Sequence, residues 1–469
     1  MDKRYRYIAA GPVVFAVVFC ALQGAFTYAA AGAVATVAWM GLWWVLRPVH
    51  VSVTALLPIV LNAMFGFIPN ADVTSQYFSE TIILLLGSEL ICLTWTTTGL
   101  DRRISVKALS YIGPSLRQQV SVWLLASVIL SIFLPNVVVA AIFCPIAVAM
   151  AHASGLKGAE GRAVLAPIML AIAWGSGIGG FGSPIGSSSN MVSLSYLEDM
   201  TGHEFLYIDW VIRFLPVLGI VTVLNLVFLW TIKTPLKELS GTRDYFKKLM
   251  LEFGPMKRGE WIALMFFVMA TVLAFARPLW AWALPTMKPV YIYLLFGIGM
   301  FVVRDEHGKM MLEWKYAQEH VMWGILLLIA SGLAAGRMLI ETGAVDGISA
   351  VLMALNIPGG MILMLVCCAF SSAFSELSSN AAAAAIALPI VLNLTVSMGL
   401  NPVPYVLASI VAVNCAYILP LSTRAIPVSF GLDPGVMTHE GTKLALLNVL
   451  LTSVVCYGLS IALPIFQHF

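Results

Sequence analysis

Apolar runs of bilayer-spanning length recur along the whole chain, separated by short polar stretches. Eleven of them are predicted as membrane-spanning helices, near 7–26, 30–47, 50–68, 80–98, 161–197, 210–232, 259–283, 289–303, 318–341, 402–431 and 442–466. The reason is length: about 20 apolar residues rising ~1.5 Å each cover a hydrocarbon core of ~30 Å. Two further apolar regions, 116–150 and 358–398, are too long for one span, and each carries a polar break near its middle, at Pro135-Asn136 and at Ser378-Ser379-Asn380. The arm after Asn136 holds about 14 residues and so reaches only ~21 Å. Both regions are therefore predicted as re-entrant hairpins with their tips at the membrane midplane.

The second break sits in Phe374–Ile390, FSELSSNAAAAAIALPI. An unsatisfied polar group costs several kcal/mol in lipid, so Glu376, Ser378, Ser379 and Asn380 are expected to face protein or a water-filled cavity. The two halves repeat this arrangement. Gly99 to Asn136 and Gly343 to Asn380 are both 37 residues, and each asparagine lies nine residues before a proline, Pro145 or Pro389. An odd number of spans separates the copies, which makes the repeat inverted, as in secondary transporters. At each tip a helix begins after the asparagine, so its free amides and positive dipole end are available to an anion; the unwound carbonyls before it are available to a cation. Alanines 381 to 385 permit close packing or sliding of that helix. The alternative is a poly-alanine packing helix capped by Asn380, which leaves the duplicated spacing unexplained.

Composition agrees: with 60% hydrophobic and 10% charged residues, the chain has too little polar surface to coat a soluble globule. The net charge of +3 is not gathered into a basic domain, so a nucleic-acid partner is not expected. Where the basic residues fall sets an orientation. With the N-terminus cytoplasmic and its first helix retained, 21 of the 26 Lys and Arg lie on the cytoplasmic side. The basic segment 233–258 reads as a solvated cytoplasmic linker, with a lipid-headgroup contact as the other reading. The domain organisation is thus an N-terminal helix over 1–29, a first repeat over 30–232, the linker, and a second repeat over 259–469. The seven cysteines lie in apolar segments with no C-x-x-C pair, and no histidine pairs with another at i, i+4. An integral-membrane enzyme would need a convergent nucleophile or metal constellation, and none is evident.

Downstream of each hairpin lies a second polar interruption, GSGIGGFGSPIGSSSN (175–190) and NCAYILPLSTRAIP (414–427). Both read as unwound helix offering carbonyls and hydroxyls, with a structural kink as the alternative.

The sequence resembles the divalent-anion/sodium symporter family. The resemblance is carried by RPVHVSVTALLPIVLNAMFG, SETIILLLGSELICLTWTTTGLDRRI and WGILLLIASGLAAGRMLIETGA, and it covers nearly the whole chain. It implies an all-α, elevator-type homodimeric carrier of dicarboxylates, citrate or sulfate. It also implies sodium sites formed by Ser131, Asn136 and Gly182, and by Ser375, Ser378, Asn380 and Ser422. The substrate-facing set it implies is Asn136, Val137, Ser183, Ser187, Asn380, Ala381, Thr423 and Arg424. The family's Ser-Asn-Thr tips read here Pro135-Asn136-Val137 and Ser379-Asn380-Ala381, and Arg424-Ala425-Ile426 replaces a Pro-Pro-Asn run. Arg424 has three readings: a fixed charge in place of one sodium ion, a clamp on a substrate carboxylate, or an ion pair with a residue such as Glu376. The expected function is secondary active transport of a small di- or trivalent anion across the cell (inner) membrane, coupled to a cation. The alternative is a sodium-independent or proton-coupled exchanger. No cofactor is expected beyond a coupling sodium ion.

Overall fold

The computed structural model describes residues 3–156, 158–202, 205–239, 241–353 and 358–467. Among them the backbone is helical, with only two isolated bridges, Ser115 to Glu238 and Arg304 to Met310. Helices α1 (Lys3–Leu22) and α2 (Tyr28–Leu46) form the N-terminal pair. The short α3 (Val51–Thr54), α4 (Leu57–Phe65) and α5 (Asn70–Thr74) lead to α6 (Glu80–Thr98) and α7 (Leu100–Leu109). The first hairpin is α8 (Leu116–Phe133) and α9 (Asn136–Ala153), followed by α10 (Gly158–Gly180), α11 (Ser188–Thr201) and α12 (Tyr207–Thr231). After α13 (Thr242–Phe253) come α14 (Arg258–Phe275), α15 (Arg277–Trp280), α16 (Pro289–Gly299) and α17 (Trp314–His320). The second half continues with α18 (Trp323–Glu341), α19 (Ala344–Met353), the hairpin α20 (Met361–Leu377) and α21 (Asn380–Ser397), then α22 (Val403–Asn414), α23 (Ala425–Ser429) and α24 (Pro434–Ala462).

Among the described residues, ten helical stretches of 18 residues or more are apolar enough to cross a membrane, and four shorter apolar helices accompany them. Large apolar side chains stand exposed on the outer helices, among them Leu215 on α12, Val272 on α14 and Leu446 on α24. Such faces are stable against lipid and not against water. The repeat is legible in the packing: α8 lies along α10 as α20 lies along α22. Gly99 and Gly343 close α6 and follow α18 at φ of 77° and 71°, a left-handed conformation that glycine adopts without the penalty of a Cβ.

Several elements differ from the sequence expectation. Helix α9, which begins at Asn136 itself, has 18 residues and runs past the expected end of the arm, staying helical through Pro145 to Ala153. Its length of ~27 Å is close to a full crossing, so length is not what holds the tip inside. The span at 50–68 is split between α3 and α4. The segment 233–258 is not all solvated: it contains α13, whose Phe246 is fully buried with its ring 6.2 Å from that of Trp123. Arg103 anchors the end of this helix, pairing with Glu260 at 2.7 Å and donating to the carbonyls of Phe253, Gly254 and Pro255.

The glycine-rich stretch also divides into two functions. Helix α10 continues to Gly180, and a Cβ on Gly175 or Gly179 would strike the backbone of α8 at Leu124 or Val128. These glycines, four apart, serve close helix packing. Only 181–187 is unwound. In the other half, Gly332 and Gly336 of α18 face Ala385, and alanines 381 to 385 are all buried.

Candidate functional site

The two hairpin tips meet. Pro135, Asn136 and Val137 of the first and Ser379, Asn380 and Ala381 of the second line one cavity of about 110 Å³. At ~30 Å³ per molecule this is room for a few waters. Larger hollows, such as one of about 650 Å³ beside Arg4, Arg47 and His50, are open surface clefts; the tip cavity is smaller and more enclosed. Both α9 and α21 start at their asparagine, so two helix N-termini border the same space. Their first amides have no intrahelical acceptor and their dipoles favour negative charge. The tips are finished differently. Ser379 caps α21 by accepting from the Ala382 amide at 3.2 Å, whereas Pro135 has no side-chain oxygen and Asn136 Oδ1 accepts from its neighbour Val137 N at 2.9 Å.

The rest of the wall comes from two long helices and one break. Leu85, Ser88 and Glu89 of α6, Met322 and the α18 residues Ile325, Leu326 and Leu328, and Ile185 and Ser188 after α10 complete it.

Behind the second tip, Ser375 is fully buried, and its one hydroxyl proton lies within reach of both the Val413 carbonyl and Asn380 Oδ1, the latter at 3.1 Å. It thereby fixes the asparagine that faces the cavity. Ser378 is satisfied locally by the Phe374 carbonyl at 2.8 Å. The unwound chain after α22 is held by Glu376, whose carboxylate accepts from three successive amides: Tyr417, Ile418 at 3.0 Å and Leu419 at 3.1 Å. Arg424 Nη1 approaches the same carboxylate at 3.4 Å, and its Nη2 donates to the Ser375 carbonyl at 3.3 Å. Both side chains are buried. Of the three readings of Arg424, the ion pair with Glu376 is the one the geometry realises, and Arg424 does not line the tip cavity.

At the first break, Ser131 donates to the Ser176 carbonyl at 2.7 Å and Ser183 donates to the carbonyl of Ile132. Gly182 is buried beside Ile132. A buried polar network then crosses from one repeat to the other. Ser187 bonds Ser189 at 2.8 Å, Ser189 donates to Asn414 Oδ1 at 2.9 Å, and Asn414 Nδ2 donates to Asn190 Oδ1 at 3.0 Å. Asn190 in turn donates to the carbonyls of Gly180 and Ser183, both at 2.7 Å. Two broken helices with loose carbonyl ends need donors, and the amides of Asn190 and Asn414 provide them.

Of the residues singled out from sequence, Asn136, Val137, Asn380 and Ala381 converge on the cavity. Ser131 and Ser375 stand directly behind the tips. Ser183, Ser187 and Thr423 are buried away from the cavity wall, with the two serine hydroxyls already engaged. The Ser422 side chain lies outside the described residues. Sequence reasoning missed Glu89, Ser188, Asn190 and Asn414. The asparagines had a signal, since each ends or begins one of the two polar interruptions; Glu89 had one too, as a carboxylate in mid-span.

An enclosed cavity between paired helix N-termini, inside a bundle of lipid-length helices, is an arrangement suited to a membrane transporter of anions. The chain belongs to the citrate transporter family, whose profile it matches over residues 41–412. It is similar to the sodium-dependent dicarboxylate transporter SdcS of Staphylococcus saprophyticus, with 26% identity over 443 residues, 90% of this chain and 84% of that protein. It is similar also to the Staphylococcus aureus protein of the same name, with 27% identity over 409 residues, 84% of this chain and 78% of that one. Among solved structures it is similar to the Alcanivorax borkumensis YdaH transporter, with a TM-score of 0.55 and 14% identity, over 85% of this chain and 88% of that chain. At that identity the likeness is one of fold.

Proposed function

We propose that the protein is a cation-coupled carrier of small di- or tricarboxylates, working as a homodimer in the cell membrane with its N-terminus cytoplasmic. The observation that carries this reading is the single cavity bordered by Asn136 and Asn380 at two helix N-termini. An anion there gains two dipole ends and two side-chain amides. Four cavity-lining residues of α6 and α18, Leu85, Ser88, Ile325 and Leu326, are the fixed wall against which the tips move in an elevator cycle. Sodium is the coupling ion by similarity to the SdcS proteins, and Asn136 with Ser131, and Asn380 with Ser375, are the residues to hold it.

The test is uptake into proteoliposomes of radiolabelled succinate, citrate and sulfate, with an inward sodium gradient or with choline in its place. Sodium-driven accumulation of a carboxylate is the expected result; no saturable uptake of any of the three refutes the reading. A second reading, a sodium-independent exchanger with Arg424 replacing one ion, draws on the contact between Arg424 Nη2 and the Ser375 carbonyl in the second candidate site. Because Glu376 balances that charge, the pair adds no net positive charge, which favours the coupled carrier. Counterflow that is equal in sodium and choline would reverse this preference. A monomeric mass in native-like lipid would refute the dimer.

A further inference from the structure

Two carboxylates lie buried near the tips, and they are treated differently. Glu376 is compensated by three backbone amides and a guanidinium. Glu89 sits in the middle of α6, is 8% exposed, and lines the cavity itself. Among the described residues, its one hydrogen bond runs from the Met322 amide to Oε1 at 2.6 Å. Among the same residues Oε2 takes no donor, and it is not sealed from solvent. An ionised group in the interior of a membrane protein is costly unless paired.

No cation of the protein supplies that pairing among the described residues. Arg103 pairs with Glu260, Lys288 with Glu80 and Arg337 with Glu341. On α6, Cys92 lies three residues on. From the elements packed against α6, no other titratable group bonds Glu89: Tyr77 donates to the Ala55 carbonyl, Tyr291 to Glu80, and Tyr293 bonds Thr271. Nor do Tyr196 and Glu198 of α11, Arg258 of α14, Asp101, Arg102 and Lys107 of α7, Glu341 of α18, or Lys315, Tyr316, Glu319 and His320 of α17. Yet the same cavity presents two dipole ends suited to an anion. An anion and an ionised Glu89 in one enclosed space repel each other strongly. They are compatible only if a small cation accompanies the anion.

We propose that Glu89 holds a coupling monocation, a proton or a sodium ion, at the tip cavity while the anion is bound. This rests on the reading of the cavity as the anion site. The cation binds first and neutralises Oε2, the anion follows, and both leave when the tips move away from α6. For sodium, the hydroxyl of Ser88 and the side-chain oxygens at the tips complete the oxygen ligands that a hard cation prefers.

The test has one arm that needs no substrate. Full-length protein in detergent is melted at pH 6 and pH 8, in sodium chloride or choline chloride, as wild type and as Glu89→Gln. The wild type is expected to gain melting temperature at pH 6 if the cation is a proton, and in sodium chloride at pH 8 if it is sodium. Glu89→Gln is expected to lose that gain; an identical response in the variant overturns the proposal. In proteoliposomes, wild-type half-saturation for succinate is expected to change about tenfold per pH unit, or with sodium concentration, and that of Glu89→Gln by less than about twofold. If Glu89→Gln does not fold, Glu89→Asp decides: a shift of about tenfold in cation half-saturation supports the site, and an unshifted value overturns it. If the wild type moves none of succinate, citrate or sulfate, the functional reading fails, while the melting comparison still decides Glu89.

Discussion

The ion pair between Glu376 and Arg424 makes an asymmetric prediction. Replacing Glu376 with Ala leaves a buried guanidinium without its counter-ion and strips the acceptor from the amides of Tyr417, Ile418 and Leu419. Removing one partner of a buried ion pair costs about 3–5 kcal/mol. Each stranded amide that water does not reach adds about 1–3 kcal/mol. Replacing Arg424 with Ala is milder, because Glu376 keeps all three amides and the guanidinium stands off from its carboxylate by a long 3.4 Å. Its lost contact to the carboxylate is a hydrogen bond to a charged group, worth about 1.5–3 kcal/mol. Thermal unfolding in detergent, followed by tryptophan fluorescence, is expected to show a much larger fall for Glu376→Ala than for Arg424→Ala. The double variant is expected to recover part of the Glu376→Ala loss, since it removes the stranded charge. Equal falls for the two single variants, or a double variant worse than their sum, would refute the argument. Arg424→Lys separates structure from substrate binding: the ion-pair role leaves the half-saturation constant for uptake near wild type, whereas a direct clamp raises it sharply.

Three further outcomes follow from the geometry. Asn136→Ala and Asn380→Ala should each weaken uptake by roughly 10- to 100-fold, the value of one hydrogen bond to a charged ligand, with melting temperature nearly unchanged; normal uptake in both would remove the tips from the mechanism. Gly179→Ala drives a methyl group into the Val128 backbone, and overpacking of this kind costs about 1–3 kcal/mol, so folded yield and melting temperature should fall; wild-type stability would refute the close packing of α10 on α8. Asn414→Leu keeps the volume but leaves Ser189 without its acceptor and Asn190 without its donor, at about 1–3 kcal/mol for each stranded group, and an unchanged melting curve would show the inter-repeat network to be dispensable.

Much of the architecture was written in one dimension. Apolar runs announce membrane helices because lipid leaves no alternative for the backbone, and the equal spacing of Asn136 and Asn380 from Gly99 and Gly343 announces paired hairpins, because a duplicated fold keeps its intervals. The unwound stretches were legible from their glycine, serine and proline density, although that density overstated them. Gly175 and Gly179 stay helical, since a missing Cβ suits close packing as well as unwinding, and sequence does not say which neighbour is near.

What only the tertiary structure decided are contacts between residues far apart in the chain. That the two tips share a cavity depends on how α8 and α20 pack in space. That Arg424 answers to Glu376 depends on the unwound chain after α22 curling back over the hairpin, which brings together side chains 48 residues apart in sequence. The partnership of Asn190 with Asn414 joins the two repeats across 224 residues. Glu89 shows the limit most plainly. A mid-span carboxylate is visible in the sequence, but whether it is neutralised by an arginine, as Glu376 is, or opens on a cavity with no cation beside it among the described residues, is set by which helices surround it. Local sequence fixes hydrophobic period and chain breaks; compensation of buried charge is a property of neighbours, and neighbours exist only after folding.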